Sequence, residues 1–346
     1  MVESLSLKRP DDFHVHLRDG DMLRSMAKFT ADHFARALVM PNLTPPVLTG
    51  ADALAYKGRI LEAVGAPAGW FKPLMTIKIT DQTTPEIIEE AKKAGVIAGK
   101  VYPVGVTTNS DDGVRDFGKL DHVFETMQEV GMVLCIHGET PGVYTLEREA
   151  DFIWTKLTSL RDEFKDLRIV LEHVSTSQGV DYVRKHENIA ATITVHHLFL
   201  TLDDVIGDKL QVHNFCKPIA KTEHDRRALV EAATSGDSKF FLGTDSAPHI
   251  QRLKECDACA AGVFTAPVAL PLLVEVFEAR KSLHNLERFT SENGAFFYGL
   301  PRNEGTIRLV KEPWTIPTAE IGPLTMGKHD VVVPFRAGQP LQWRVA

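Results

Sequence analysis

Two histidines one residue apart, His14 and His16, lie in a short apolar stretch near the N-terminus, Asp12-Phe13-His14-Val15-His16-Leu17. In an extended chain the side chains alternate between faces, so residues two apart share a side. Two imidazoles aimed the same way from a strand suit Zn²⁺ or another borderline metal, whereas ligands on one helix stand three or four apart. Alone, the pair is a weak signal. His137 and His173 each close another apolar run, however, and Asp245 follows a further one within Gly243-Thr244-Asp245-Ser246. Five nitrogen and oxygen donors could therefore converge from separate segments. Lys100 is the odd member, because an ammonium repels a cation and has no lone pair to give. It fits a metal centre only as a neutral amine that has taken up CO₂, since the resulting carbamate has two oxygens, each able to reach a different ion. A buried lysine paired with an acid is the plainer reading, and the local sequence leaves both open.

Positioning such a set needs many short strands with their ends gathered. Eight apolar runs recur at 12–17, 34–40, 72–79, 96–102, 132–137, 168–174, 189–195 and 239–244. Several are rich in Val, Ile, Leu and Phe, as strands buried on both faces are. Helical patterns fill gaps at 51–64, 85–94, 119–130, 146–163, 177–186 and 223–235, several opened by Thr, Ser or Asp in the N-cap role. Eight strand-helix units predict an α/β fold of the (β/α)₈ TIM-barrel type, with residues 1–346 forming a single domain. Residues 265–346 read as closing helices followed by a Pro- and Gly-rich extended tail, a short C-terminal extension packed on the barrel. Chemistry in such a barrel sits at the C-terminal ends of the strands. His14 and His16 fall in the first run, Lys100 near the end of the fourth, His137 and His173 at the ends of the fifth and sixth, and Asp245 just past the eighth.

The bulk numbers narrow the function classes. Of 346 residues, 44% are hydrophobic and 25% charged, the balance of a globular protein with a sizeable core. The net charge of -7 is spread along the chain, which argues against a nucleic-acid partner. No apolar run approaches membrane-spanning length and the N-terminus lacks a leader pattern, so no membrane association and a cytoplasmic location are expected. Four cysteines, at 135, 216, 256 and 259, fit a reducing compartment. Cys256 and Cys259 have the spacing of a redox or zinc pair, but one pair half-fills a tetrahedral zinc site.

Taken together, the motifs resemble the single-function bacterial branch of the dihydroorotase family, within the amidohydrolase superfamily. The segments that carry the resemblance are Asp12-Phe13-His14-Val15-His16-Leu17-Arg18, Met40-Pro41-Asn42-Leu43, Gly99-Lys100-Val101-Tyr102-Pro103, Thr107-Thr108-Asn109-Ser110, Ile136-His137-Gly138-Glu139, Leu171-Glu172-His173 and Gly243-Thr244-Asp245-Ser246-Ala247-Pro248-His249. They run in family order along nearly the whole chain. The resemblance implies two Zn²⁺ ions per subunit. His14, His16 and Asp245 would hold the more buried ion and His137 and His173 the other, with a carbamylated Lys100 (N6-carboxylysine) and a hydroxide bridging them. It further implies Asp245 as general acid and base, and a small-molecule substrate, carbamoyl aspartate or dihydroorotate, interconverted in pyrimidine biosynthesis. Arg18, Asn42 and His249 would bind the substrate carboxylate, with His137 also at the substrate. Backbone groups at Lys217 and Ala261 would meet the ring, and Thr107 and Thr108 would close over it from a loop. A homodimer is implied as well.

Some of these roles also have a reading from the residues themselves. Arg18 stands two beyond His16, so strand alternation keeps it on the inner face, and a planar guanidinium grips a carboxylate through two parallel bonds. A structural ion pair is the competing role. The stretch 103–113 is rich in turn formers and is expected to be mobile, although an ordinary surface loop would look the same. His196 and His197 follow the seventh run. Adjacent strand residues point to opposite faces, so they read as packing residues. His122, His186, His224, His284 and His329 read as surface or structural, and Cys216 as a buried neighbour. Two rival functions remain at this stage. Another cyclic amidohydrolase, such as a hydantoinase, dihydropyrimidinase or allantoinase, would share the barrel and the metals but not the carboxylate clamp. A barrel that has lost catalysis and serves as an assembly partner is the other.

Overall fold

The computed structural model describes residues 3–65, 69–317 and 330–346. After β1 (Ser4–Lys8), eight parallel strands follow in sequence order: β2 (Asp11–Val15), β3 (Arg36–Val39), β4 (Lys72–Ile79), β5 (Ala98–Val101), β6 (Val133–His137), β7 (Ile169–Glu172), β8 (Ile189–Ile193) and β9 (Phe240–Leu242). Each lies beside the next, and a helical segment covers each crossover, as at Gly20–His33, Gly50–Val64 and Glu223–Thr234. The eight expected runs are the eight strands, and the expected α/β barrel is the fold. Helix starts are set by local chemistry. Thr49 with Asp52, and Thr222 with Asp225, form reciprocal capping boxes that satisfy N-terminal amides.

The seam between β9 and β2 differs from the other seven. It has no regular ladder. Val15 bridges to Ser246, Asp245 N donates to His14 O at 2.8 Å, and His16 N donates to Ser246 O at 3.0 Å. Below these, the Asp12 carboxylate accepts from Thr244 N at 2.8 Å, from Thr244 Oγ1 at 2.6 Å and from His14 N at 3.2 Å. A buried side chain thus supplies acceptors that a backbone strand would otherwise provide.

The barrel interior changes character along its axis. Phe13, Leu38, Leu74, Ala98, Val133, Cys135, Val170, Ala190 and Phe241 form one buried apolar cluster, closed from below by Ala295 and Tyr298. Phe13 stacks on Tyr298 with ring centroids 4.8 Å apart, and a Cβ on Gly294 would come within 2.3 Å of the Phe13 ring, so that position has room for no side chain. Two residues further along their strands, on the same side of the pleat, come Thr76, Lys100, His137, Glu172 and Thr192, all buried. The polar layer therefore sits at the C-terminal mouth because each strand keeps its alternation while its inward residues change from apolar to ionisable.

The chain after β9 closes the barrel and then crosses it. Helix Ala269–Ala279 is followed by a π-turn, helix Asn293–Phe297 and β10 (Thr306–Val310), which pairs antiparallel with β1 and with Arg344–Val345. Phe264 bridges Pro334, Ile250 bridges Val332, and Trp343 is wholly buried, so the described part of the expected tail packs on the barrel. His329 lies outside the described residues. Among the described residues no helix is long and apolar enough to cross a membrane.

Candidate metal centre

His14 leaves β2 with its Nδ1 held by Glu172 Oε2 at 2.7 Å, which aims Nε2 at Asp245 Oδ1, 3.4 Å away. His16 Nε2 approaches the same oxygen at 3.1 Å. Ring centroids of His173 lie 5.0 Å from His14 and 4.6 Å from His137, so four imidazoles and one carboxylate share the mouth of the barrel. Donor atoms of His14, His173 and Asp245 fall within 4.8 Å of one another, close enough for one cation. His137 Nε2 contacts Glu139 Oε2 at 2.7 Å, which leaves its Nδ1 free. Glu172 and Glu139 stand where carboxylates can fix the tautomer and direction of an imidazole.

Strand alternation alone does not place these residues. Phe13 belongs to the inner cluster and Val15 to the outer one, with a register shift between Asp12 and Val15 that turns His14 and His16 to the inside together. β2 ends at Val15, so the expected continuation of its inner face through Arg18 is not how Arg18 arrives. Arg18 has φ +62°, a left-handed turn that redirects the chain after the strand. His173 and Asp245 are also left-handed, at φ +43° and +45°. His173 follows the inward Glu172 and by alternation would face the helices; the left-handed turn swings it back. Non-glycine residues in this region cost about 1–3 kcal/mol each and collect at functional sites.

Lys100 is wholly buried on β5, and among the described residues its Nζ has no hydrogen-bond partner; neither do Glu172 Oε1 and His173 Nδ1. Burial pushes the Lys100 ammonium below its ordinary range, against the pull of Glu172. The expected alternative, a lysine paired with an acid, finds no ion pair at Nζ among the described residues. An amine driven toward neutrality between orphaned donor atoms fits a group that must lose its proton to react with CO₂. Burial raises the Asp245 carboxyl, but the His16 hydrogen bond and the nearby His14 outweigh it and hold Asp245 below the usual carboxylate range. His16 is lowered to about 4, chiefly by burial. Neutral imidazoles and an ionised carboxylate are the forms that bind a cation.

A narrow cavity opens beside this set, lined among others by Arg18, Asn42, Thr107, Thr108, Lys217, Asp245 and Ala261. It leads outward, past Thr107, Thr108, Lys217 and Ala261, to a wider groove walled by Val205, Ile206 and Leu210. Arg18 donates from Nε to Pro248 O at 3.1 Å and from Nη2 to His249 Nε2 at 2.9 Å. His249, pushed to about 2 by burial and by Arg18, is neutral, so the guanidinium is the charge at this end. Asn42 donates its side-chain amide to Thr108 O at 3.2 Å and accepts at its backbone carbonyl from Asn109 Nδ2 at 3.0 Å. Lys78, fully buried on β4, donates to Asn109 O at 2.9 Å and pairs with Asp112. The 103–113 loop is thus tied to β4 and to Asn42, and it carries both threonines to the cavity.

Every residue expected at the site lines the cavity or adjoins it. His196 and His197, read as belonging to a strand, stand instead on a short helix, Val195–Phe199, and both are buried. They form a compact group with Cys216. His197 is bonded to Thr194 Oγ1 at 2.8 Å and Pro218 O at 3.0 Å, and burial pushes the Cys216 thiol up to about 12. Cys256 and Cys259 are free. Sequence reasoning passed over Glu139, Glu172 and Lys78. The first two carried a signal, an acid within two residues of a candidate ligand histidine at a strand end; Lys78 carried none.

An eight-stranded barrel with histidines, a carboxylate and a buried lysine at its C-terminal mouth is the architecture of a metal-dependent hydrolase. The sequence profile of the amidohydrolase family matches residues 12–333. The chain is 50% identical over 351 residues to a dihydroorotase of Ruegeria pomeroyi, covering 100% of this chain and 99% of that one. Among solved structures, dihydroorotase from Campylobacter jejuni superposes with a TM-score of 0.91 at 39% identity, covering 100% of this chain and 98% of that one. Dihydroorotase from Saccharomyces cerevisiae, in complex with 5-fluoroorotic acid, gives 0.92 at 36% identity, covering 100% and 99%. The chain belongs to the amidohydrolase family and, within it, to the dihydroorotases.

Proposed function

We propose that this chain, as one domain, interconverts N-carbamoyl-L-aspartate and dihydroorotate at a two-zinc centre, working in the cytoplasm as a homodimer. His14, His16 and Asp245 hold one ion, His137 and His173 the other, and a carbamate on Lys100 joins them. The observation that carries the reading is Lys100: a fully buried amine with no hydrogen-bond partner among the described residues, set among imidazoles. When bound, such ions polarise the ring carbonyl and acidify water toward neutrality. Asp245, kept ionised by its histidine neighbours, takes a proton from the attacking water and returns it to the departing ring nitrogen; ring closure runs the same transfers backwards. Arg18 grips the substrate carboxylate at the far end of the cavity with Asn42 and His249 beside it, His137 also touches the substrate, and backbone at Lys217 and Ala261 meets the ring. Thr107 and Thr108 exclude water from above.

The 5-fluoroorotic acid held by the yeast relative supports a ring-carboxylate ligand here. Metal analysis of the purified chain, with turnover of dihydroorotate measured against uncharged dihydrouracil, is the test. Two zinc equivalents and turnover confined to dihydroorotate are expected, with activity lost to a chelator and restored by zinc. Comparable rates on both substrates would point instead to a dihydropyrimidinase-type enzyme.

A further inference from the structure

Behind the cavity wall lies a cation that the reaction does not use. Lys254 ends the short helix Gln251–Lys254 and is 3% exposed. Its Nζ donates to Phe215 O at 2.9 Å, Ala260 O at 2.9 Å and Gly262 O at 2.8 Å. Among the described residues no carboxylate forms a salt bridge with it. Three N–H groups meeting three carbonyls use the ammonium completely. A buried charge balanced by backbone dipoles and the face of the Phe215 ring, 5.9 Å away, is an expensive way to hold a loop, since an uncharged amide would avoid the desolvation.

The three carbonyls belong to two separate segments. Phe215 precedes Lys217 by two residues, and Ala260 and Gly262 flank Ala261; Lys217, Ala261 and Gly262 all line the cavity. Gly262 N also donates to Phe215 O at 3.0 Å, so the two segments touch directly at that one point. Gly262 has φ +150°, and a Cβ there would come within 2.6 Å of Ala247 O, which shows how closely its backbone is packed. Lys254 is the group that bonds both segments at once.

We propose that Lys254 is a positioning residue for substrate recognition: by pinning residues 215 and 260–262 to one ammonium, it sets the separation of the two backbone segments between which the substrate ring lies. The inference rests on the substrate assignment made above. Met at this position would fill the channel but take the shared donor from all three carbonyls, Phe215 O keeping its bond from Gly262 N. Arg would bring a planar fork to a tetrahedral set of acceptors.

A distinctive readout follows from protonation. Burial pushes the Lys254 ammonium down to about 8, with Arg18 adding to it and the thiols of Cys259 and Cys216 opposing. Of the groups facing it, burial raises Cys216 to about 12 and also raises Cys259, while His249 is lowered to about 2 and His196 well below its ordinary range. Arg18 is lowered by burial from a much higher starting point. Lys254 thus loses its proton in mildly alkaline solution, and burial also lowers the Lys217 ammonium on the same wall. A neutral amine offers two N–H groups to three carbonyls, so the segments loosen as pH rises through about 8.

The experiment is steady-state kinetics of the zinc-loaded enzyme and its Lys254→Met variant on dihydroorotate from neutral to alkaline pH, with metal content and melting temperature recorded. In the variant at neutral pH, KM is expected to rise about tenfold, the equivalent of one hydrogen bond to a charged group, with kcat changed far less and zinc retained. In the wild type, KM is expected to climb above the Lys254 transition, and the variant's profile is expected to be flat there. A folded, metal-loaded variant with unchanged KM would overturn the inference, as would an alkaline rise that persists in it. Should the variant not fold, a wild-type KM that stays level across the transition overturns it equally. Failure of the wild type to turn over dihydroorotate would instead remove the substrate assignment, and this inference with it.

Discussion

Replacing Arg18 by Met tests the carboxylate clamp directly. Of the five N–H donors of a guanidinium, the structure uses one at Pro248 O and one at His249 Nε2, leaving three for the cavity. A substrate carboxylate can take two of these side by side. Each charge-assisted bond contributes about 1.5–3 kcal/mol, and water entering the variant's site recovers part of the sum, so a net loss of about 3–4 kcal/mol is reasonable. That corresponds to roughly 10²–10³-fold in kcat/KM for dihydroorotate. The carboxylate keeps its charge from ground state to transition state, so most of the loss belongs in KM. Met suits the comparison because it meets the same left-handed backbone at φ +62° as Arg, and the Tyr56 hydroxyl still donates to the residue 18 carbonyl. The assay follows ring opening by ultraviolet absorbance for dihydroorotate and dihydrouracil, with zinc content checked in parallel. Any residual rate on dihydrouracil should stay within about threefold, since that ring offers no carboxylate to a clamp. Equal losses on both substrates, or no loss on dihydroorotate, would refute the clamp.

Lys100→Ala should purify with less zinc and little activity, and acetate or propionate should restore part of both by standing in for the carbamate; activity equal to wild type would end the bridging role. Glu172→Gln replaces the charged partner of His14 Nδ1 and should weaken zinc binding by about 10–100-fold in a chelator competition, and an unchanged affinity would show that His14 is oriented without it.

How much of this was legible beforehand depends on which residues obey a period. All eight strands were, because buried parallel strands stand out as apolar runs and the ligands fall at their ends. His14, His16, His137, His173 and Asp245 were singled out as candidate ligands for the same reason, and Lys100 through the family resemblance of its segment. What the period could not give was direction after a strand stops. Arg18, His173 and Asp245 are each aimed by a left-handed residue, and nothing in Arg, His or Asp announces that conformation as glycine would. Glu172 contacts His14, 158 residues away, a relation visible only once the strands are neighbours, whereas Glu139 stands two residues from the histidine it contacts. The 103–113 loop was read as mobile from its turn formers, and its tie to Lys78 joins it to a strand that sequence alone gave no reason to connect with it.

The seam between β2 and β9 gives the metal a place in the folding of the chain. His14 and His16 come from one lip of this seam and Asp245 from the other, where backbone pairing is sparsest among the eight strands. A cation held by all three would act as a rivet across the join between the first and last strands. Those strands leave the ribosome far apart in time, so metal capture has to wait until almost the whole barrel has been synthesised. Loading the cofactor and completing the cylinder then become one equilibrium, and a zinc-starved chain would be expected to gape along a single line while its other seven joins stay shut.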